Sequence, residues 1–161
     1  MDELVVAVED ATFKRAMSHF LSGVTVVTTV VDGTRYGLTV ASFASLSLNP
    51  PLVLVCVEKN VKSHEAIPRA EKFAVSILAE NQQNISNQFA GRSEDRFAGI
   101  ETVEGKLGLP LIAGAICTIE CRLHSTLPGG DHSIFVGEVI GAQFEEGQPL
   151  GYFRSGYHKI V

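Results

Sequence analysis

Three hydroxyl side chains recur at every third position of one stretch, at Thr39, Ser42 and Ser45. Shortly after them, residues 52–57 form a run that no charged or hydroxyl side chain interrupts. A half-buried strand alternates with a period of two, so this spacing predicts an irregular segment beside a deeply buried strand. Such a segment can turn backbone N–H groups and hydroxyls toward one point, where they suit a carbonyl-rimmed ring or a phosphate. The alternative is that the serines only form a β-turn.

A second candidate for anion binding is the start of a predicted short helix, where Lys62 precedes Ser63. A helix N-terminus presents free N–H groups and a partial positive charge, and Lys62 adds a full one. The alternative is that Ser63 is only the N-cap of this helix. Together with the hydroxyl-rich segment, the pair indicates a site for an aromatic cofactor that carries a phosphate.

The third candidate is the loop that contains Gly129, Gly130 and Asp131, followed by His132. Its composition predicts a hairpin turn, and a turn can present His132 to a ligand. The chain has no P-loop, HExxH motif or nucleophile elbow. If the protein is an enzyme, a cofactor is therefore expected to supply the chemistry.

Composition and charge limit the classes of binding partner that this protein can have. The net charge of −5 argues against nucleic acid or an anionic membrane as the main partner. No metal is expected, because Cys117 and Cys121 lie on a predicted strand, where four residues span roughly 13 Å. The acidic N-terminus does not resemble a signal peptide and the cysteine number is odd, at three. These features predict three buried, inert thiols and a cytoplasmic location.

The elements that must position these residues follow from periodicity and turn signals. Apolar residues from 13 to 21 have helical spacing and predict an amphipathic helix, capped by Thr12 and stopped by Gly23. Asp32-Gly33 predicts a two-residue hairpin turn. Strands are expected at residues 24–31, 34–40, 52–58, 73–78, 115–125 and 133–144, with an edge strand in the tail. The 52–58 strand is expected to be buried on both faces.

Further short helices are predicted from about residue 63 to Pro68 and over residues 81–89, the latter with Ile85 and Phe89 facing inward and Gly91 ending it. Residues 92–114 hold four glycines and are expected to form a long irregular loop. Strands mostly follow strands, which favours one mainly β domain over residues 1–161, built as an antiparallel β-barrel with a few short helices.

Several segments together resemble the flavin reductase-like family, the small reductase components of two-component flavin-dependent monooxygenases. They are "FKRAMSHFLSGVTVVTT", "GLTVASFASLSLNPPLVLVCVEK", "FAVSILAENQQNISNQFAG", "DRF" and "GGDHSIFVGEV". The resemblance implies an FMN-binding split barrel, an antiparallel Greek key fold, and a homodimer with one flavin per subunit near the interface.

The resemblance also implies binding residues. The flavin would contact the 39–45 segment, the end of the buried strand, the start of the second helix and the end of the third helix: Thr39, Val40, Ala41, Ser42, Phe43, Ser45, Cys56, Val57, Glu58, Lys62, Ser63, Phe89, Ala90 and Gly91. His132 and Tyr157 would contact the nicotinamide nucleotide. No protein residue would be catalytic in the chemical sense, because hydride passes from cofactor to cofactor.

The function implied is an NAD(P)H:flavin oxidoreductase that reduces FMN or FAD with NADH or NADPH and supplies reduced flavin to a partner monooxygenase. One alternative is a non-enzymatic flavin carrier or store. Another is a ligand-free barrel that serves as an interaction module. The "GGDH" loop favours the reductase, because a pure carrier has no need of a nicotinamide site.

Overall fold

A computed structural model describes residues 5–161, and the first four residues of the acidic N-terminus lie outside this range. Three helices are present: α1 (Asp10–Met17), α2 (Lys62–Ala70) and α3 (Gln83–Ala90). The strands in chain order are β1 (Ser22–Gly23), β2 (Thr25–Val31), β3 (Thr34–Val40), β4 (Phe43–Leu48), β5 (Pro51–Glu58), β6 (Lys72–Ile77), β7 (Thr102–Glu104), β8 (Pro110–Ile112), β9 (Cys117–Gly129), β10 (His132–Phe144), β11 (Leu150–Phe153) and β12 (Gly156–Lys159).

Seven strands form the main sheet in the order β3-β2-β6-β9-β10-β5-β4, and every neighbouring pair is antiparallel. The predicted class, mainly β and antiparallel with a few short helices, is confirmed. Asp32 and Gly33 join β2 to β3 with φ angles of 49° and 78°. Both values lie in the left-handed region that the predicted two-residue turn requires, so this prediction is also confirmed.

β5 forms a wall between the core and a cavity. Val53, Val55 and Val57 are buried in the core, where they cluster with side chains such as Phe73 and Phe135. The alternate residues Leu52, Leu54 and Cys56 are only half-buried. The prediction that β5 is buried on both faces is therefore wrong, because its second face lines an open cavity.

The first two helices differ in extent from the prediction. α1 begins at Asp10, so Thr12 lies inside it, and Glu9 occupies the N-cap position without a side-chain cap. It ends at Met17, leaving Phe20 and Leu21 beyond it, and none of its residues is buried. α2 continues past Pro68 and ends at Ala70. Its C-cap residue is Glu71, which has a left-handed φ of 55°.

The 92–114 segment and the tail both hold more strand than predicted. The 92–114 segment is not wholly irregular, because β7 and β8 form a small hairpin in which Val103 pairs with Leu111. Strands of three residues are too short for periodicity to reveal. The tail contributes two strands instead of one, and β1, β11 and β12 form a separate three-stranded sheet. No helix within residues 5–161 is long and apolar enough to cross a bilayer.

Candidate functional site

A cavity of about 900 Å³ lies between the α1 segment, the bend that joins β3 to β4, and the open face of β5. Its lining is largely apolar. The residues that line it are Phe13, Lys14, Met17, Ser18, Phe20, Ser22, Gly23, Thr25, Ala41, Ser42, Phe43, Ala44, Leu54, Cys56, Ile77, Tyr152 and Ser155. Four of the residues predicted to contact the flavin are therefore on one wall: Ala41, Ser42, Phe43 and Cys56.

The bend at Ala41 and Ser42 is anchored on β5. The Ser42 hydroxyl donates to the Cys56 carbonyl at 3.1 Å, and the Cys56 N–H donates to the Ser42 carbonyl at 3.1 Å. These two bonds fix the bend against the cavity wall. The expectation of an irregular segment is confirmed at the bend, whereas Ser45 lies in β4, where it pairs with Val53.

The three hydroxyls that suggested the site do not converge as free donors. Thr39 donates its hydroxyl to the Ser86 carbonyl at 2.6 Å, and Ser42 donates to Cys56. Each hydroxyl has a single hydrogen to donate, so these donors are already used. The exposed Ser45 lies outside the cavity lining. In this segment the hydroxyls of Thr39 and Ser42 fix the backbone instead of pointing together at one ligand atom.

Lys62 and Ser63 line a second cavity of about 320 Å³. The alternative in which Ser63 is the N-cap of α2 is wrong, because Val61 holds that position and makes no side-chain cap. Lys62 is the first residue of the helix, and its side chain is exposed. The first N–H groups of a helix have no intrahelical acceptor, so this end of α2 keeps the character expected of an anion site.

His132 begins β10 directly opposite Glu58, the last residue of β5. Residues opposite each other in an antiparallel pair share a face, so His132 lies on the same sheet face as Cys56, two residues before Glu58. The turn before it is held by a hydrogen bond from the Lys59 N–H to the Asp131 carbonyl at 2.9 Å. His132 is therefore next to the cavity wall, although it is not part of the lining.

Asp131 orients the His132 ring. The Nδ1 atom of His132 is 2.7 Å from Oδ1 of Asp131, and this hydrogen bond, together with the charge of the histidine, lowers the pKa of the carboxyl. An ionised carboxylate only accepts hydrogen bonds, so Nδ1 must carry the hydrogen. Among residues 5–161 no hydrogen bond engages the other ring nitrogen, Nε2, so it is left for a ligand.

Tyr157 lies on β12 opposite Tyr152, which lines the larger cavity. The two rings are 5.4 Å apart, and the Tyr157 hydroxyl is 2.7 Å from the Ser86 hydroxyl. It also donates to Asn87 at 3.0 Å. Tyr157 thus ties the C-terminal strands to α3, and it is not among the residues that line the larger cavity.

The end of α3 does not line either cavity. Phe89 is fully buried and packs edge-on against Phe97, with ring centroids 4.9 Å apart. A Cβ atom at Gly37 would come within 2.6 Å of the Phe89 ring, so this glycine is required by close packing. Phe89, Ala90 and Gly91, which were expected to line the far side of the pocket, are outside the lining of both cavities. Val57 likewise points into the core, and Glu58 is exposed.

Sequence reasoning missed two groups of lining residues. One is apolar and lies on or after α1, including Phe13, Met17 and Phe20. The sequence did contain a signal for this group, namely the helical spacing of the apolar residues, because the apolar face of an amphipathic helix must pack against another element or a ligand. The other group is basic and lines the smaller cavity: Arg35, Arg92 and Arg96. These residues come from separate elements, so no local pattern connects them.

The thiols differ from the prediction of three buried cysteines. Only Cys121 is buried, and burial beside Glu120 raises its pKa to about 12. Burial also raises the pKa of Cys117, while Cys56 is half-buried on the cavity wall. Cys117 and Cys121 do lie on one strand, as predicted. Within residues 5–161, no group of three or more histidine, cysteine or acidic side chains is placed to hold a metal ion.

Comparison with known proteins places this geometry in a family. A family model described as a flavin reductase like domain matches residues 17–161. The reductase subunit HsaB of a flavin-dependent monooxygenase from Rhodococcus jostii (strain RHA1) is 41% identical over 155 residues, covering 96% of this chain and 80% of that protein. The reductase component of 4-hydroxyphenylacetate 3-monooxygenase from Thermus thermophilus is 43% identical over 150 residues, covering 92% and 95%.

The similarity extends to three dimensions. The solved structure of the NADH:FAD oxidoreductase SgcE6 from Streptomyces globisporus C-1027, in complex with NAD and FAD fragments, superposes with a TM-score of 0.93 at 38% identity. The match covers 99% of this chain and 97% of that chain. Sequence and fold agree, and the chain belongs to the flavin reductase-like domain family.

Proposed function

We propose that this chain is an NAD(P)H:flavin oxidoreductase that passes hydride from a reduced nicotinamide nucleotide to a flavin and releases the reduced flavin to a separate monooxygenase. It acts as one domain over residues 1–161. The names of its relatives support this, since two are reductase subunits or components of monooxygenases and one is an NADH:FAD oxidoreductase. By the same similarity, NADH and FAD are the preferred pair.

The observation that carries the proposal is the larger cavity. Its volume of about 900 Å³ and its apolar lining are typical of a site for a small aromatic ligand. The exposed bend at Ala41 and Ser42 interrupts the strand ladder at this wall, which leaves backbone polar groups for the rim of a ring system. The residues present therefore fit a flavin ring.

The parts of the flavin would be held by different elements. The ring and the chain that follows it would contact the 39–45 segment and the end of β5, largely through backbone groups. The phosphate would lie at the start of α2, near Lys62 and Ser63. Phe89 would support β3 from the core without touching the ligand, and His132 and Tyr157 would flank the nicotinamide.

The flavin and the nicotinamide nucleotide supply the hydride transfer, which needs their rings in contact and no protein acid or base. The chain contributes binding, orientation and the exclusion of water. Apolar side chains such as Phe43 and Leu54 keep the cavity wall dry. Asp131 holds the His132 ring in one orientation, so that Nε2 can receive or donate a hydrogen bond at the mouth of the site.

A steady-state assay tests the function. Purified protein is mixed with NADH and a catalytic amount of FAD in air, and the absorbance of NADH is followed. We expect continuous NADH oxidation that saturates with both reactants. A yellow protein that does not oxidise NADH would instead indicate a flavin carrier, and a colourless inert protein would indicate an interaction module.

Lys62→Ala should weaken FMN binding roughly fivefold and leave riboflavin binding unchanged. Only FMN presents a phosphate to this site, and the exposure of Lys62 limits the loss to about 1 kcal/mol. Dissociation constants from flavin fluorescence titrations measure both ligands. Lys59→Ala is the matched control, since Lys59 is exposed and lies outside the cavity lining. Equal weakening of FMN and riboflavin would contradict a phosphate contact.

The protein is expected to be a homodimer in solution. Large apolar side chains stand on the surface of a single chain: Phe20 is 73% exposed, Phe144 is 81% exposed and Leu48 is 93% exposed. Phe20 also lines the larger cavity, so a second chain covering it would help to close the site. Sedimentation velocity should give the mass of two chains. A folded monomer that still binds flavin tightly would contradict this expectation.

A further inference from the structure

One side-chain hydrogen bond joins the first turn of α2 to the strand that carries His132. The Nε2 atom of His64, the third residue of α2, is hydrogen-bonded to the Ser133 hydroxyl at 2.7 Å. Ser133 follows His132 directly in β10 and is buried. The two partners are 69 positions apart in the chain, so the bond links two elements that only the fold brings together.

Ser133 and His132 project to opposite faces of β10. Successive residues of a strand alternate between the faces of a sheet, so Ser133 shares a face with Phe135, two residues further on. Ser133 pairs with Val57, and both Val57 and Phe135 are buried in the core. His64 therefore contacts β10 from the core side, whereas His132 lies on the face of the cavity wall.

The strand end of this bond is held on both sides. β10 lies between β9 and β5 in the main sheet, and its first residue pairs with Gly129 on one side and with Glu58 on the other. The His64 ring also packs on the fully buried Phe135, with ring centroids 5.4 Å apart. The Ser133 hydroxyl is therefore a fixed point that can locate the helix.

Few other polar contacts hold the helix end of the bond. Val61 occupies the N-cap position and makes no side-chain cap, and Lys59 and Asn60 before it are exposed. Among residues 5–161, α2 has one other side-chain hydrogen bond, from Arg69 to Asp32 at 3.4 Å. That bond joins two exposed side chains at the far end of the helix. The bond to Ser133 is thus the side-chain hydrogen bond that locates the first turn of α2.

From these contacts we infer that His64 is a positioning residue for the flavin phosphate. By its bond to Ser133, it fixes where the first turn of α2 presents Lys62 and the free N–H groups of the helix. Such N–H groups bind an anion when they point at it, so a shift of the helix end weakens the site. His64 lines neither the larger nor the smaller cavity, so it would act through the helix and not by touching the flavin. The inference rests on the proposed function, which puts the phosphate at the start of α2.

A double-mutant cycle on flavin affinity tests this role, with dissociation constants measured by flavin fluorescence. His64→Ala and Ser133→Ala should each weaken FMN roughly 2- to 5-fold, as expected for the loss of one hydrogen bond, and change riboflavin less than about 1.5-fold. Riboflavin is the comparison because it lacks only the phosphate. The double variant should bind FMN no more weakly than the single variants, since both substitutions remove the same bond.

A conservative variant and a matched control separate positioning from general destabilisation. His64→Gln should restore most of the FMN affinity, because a glutamine amide nitrogen reaches about as far as Nε2 and can donate to the Ser133 hydroxyl. His124→Ala is the control, since His124 also contacts a serine hydroxyl, that of Ser125 at 3.4 Å. His124 is exposed on β9 and lines neither cavity, so its loss should leave the ratio of FMN to riboflavin affinity unchanged.

Equal weakening of FMN and riboflavin in His64→Ala would overturn the inference, as would losses that add in the double variant. If His64→Ala fails to fold, Ser133→Ala carries the same prediction, because it removes only a hydroxyl. Unchanged FMN affinity in the folded Ser133→Ala protein would then overturn the inference.

The remaining outcomes separate this inference from the proposed function. If NADH reduces flavin while the ratio of FMN to riboflavin affinity is the same in His64→Ala as in the wild type, the function stands and the inference fails. If no flavin is reduced but the ratio falls in both single variants and recovers in His64→Gln, the positioning role stands and the function fails.

Discussion

Ala41→Trp should abolish tight flavin binding and, with it, NADH oxidation at ordinary flavin concentrations. Ala41 is an exposed residue in the bend that forms one wall of the larger cavity. A tryptophan there occupies the space that we assign to the flavin ring. A ring excluded from the cavity loses the burial of roughly 100 to 150 Å² of apolar surface, about 2.5 to 4 kcal/mol, or roughly two to three orders of magnitude in affinity.

The fold should tolerate this change, because Ala41 is not in the core. Thermal unfolding of Ala41→Trp should therefore resemble that of the wild-type protein. Ala98→Trp is a suitable control, since Ala98 is also exposed but lies outside the lining of both cavities. A folded Ala41→Trp protein that binds flavin as well as the wild type would show that the ring binds elsewhere.

His132→Ala should lower kcat/KM for NADH roughly 5- to 70-fold while flavin affinity stays nearly unchanged. Its Nε2 atom is left for a ligand at the mouth of the site, because Asp131 engages Nδ1. The loss of a hydrogen-bonding or partly ionic contact at a half-open site is about 1 to 2.5 kcal/mol. Steady-state kinetics with NADH and flavin titrations measure the two effects separately.

The form of the loss identifies the role of His132. A change in KM alone means that His132 binds NADH equally in the ground and transition states, whereas a change in kcat means that it sets how the rings stack. His124→Ala on the same hairpin is the control, because His124 is exposed on β9. If His132→Ala oxidises NADH at the wild-type rate at all NADH concentrations, the loop is only a turn and does not bind NADH. Collapse of flavin binding would assign His132 to the flavin instead.

Local signals in the sequence were sufficient where one or two residues dictate the backbone. Asp32-Gly33 predicted a tight turn because both positions need a left-handed φ, and the structure has it. Gly129 to His132 predicted a hairpin turn for a similar reason, and β9 and β10 meet there. The resemblance then located Ala41, Ser42, Phe43 and Cys56, which do share one cavity wall.

Features that depend on distant parts of the chain were not predictable in this way. The Thr39 hydroxyl donates its hydrogen to the Ser86 carbonyl, and no local sequence pattern reveals a partner so distant in the chain. The position of Phe89 is decided by the close approach of Gly37, which places the ring in the core. The basic cavity joins Arg35, Lys62 and Arg96 from three elements, so its charge exists only after folding.

The most direct test of the central claim is an anaerobic titration of flavin by NADH in the presence of a small amount of the full chain. The visible absorbance of oxidised FAD is followed together with the absorbance of NADH. The account predicts that the two absorbances fall together, with one NADH oxidised for each FAD reduced. All the free FAD should become reduced although the protein is present in a far smaller amount than the flavin. If oxidised flavin persists, or if only an amount equal to the protein is reduced, the chain does not turn over free flavin and the proposed function is contradicted.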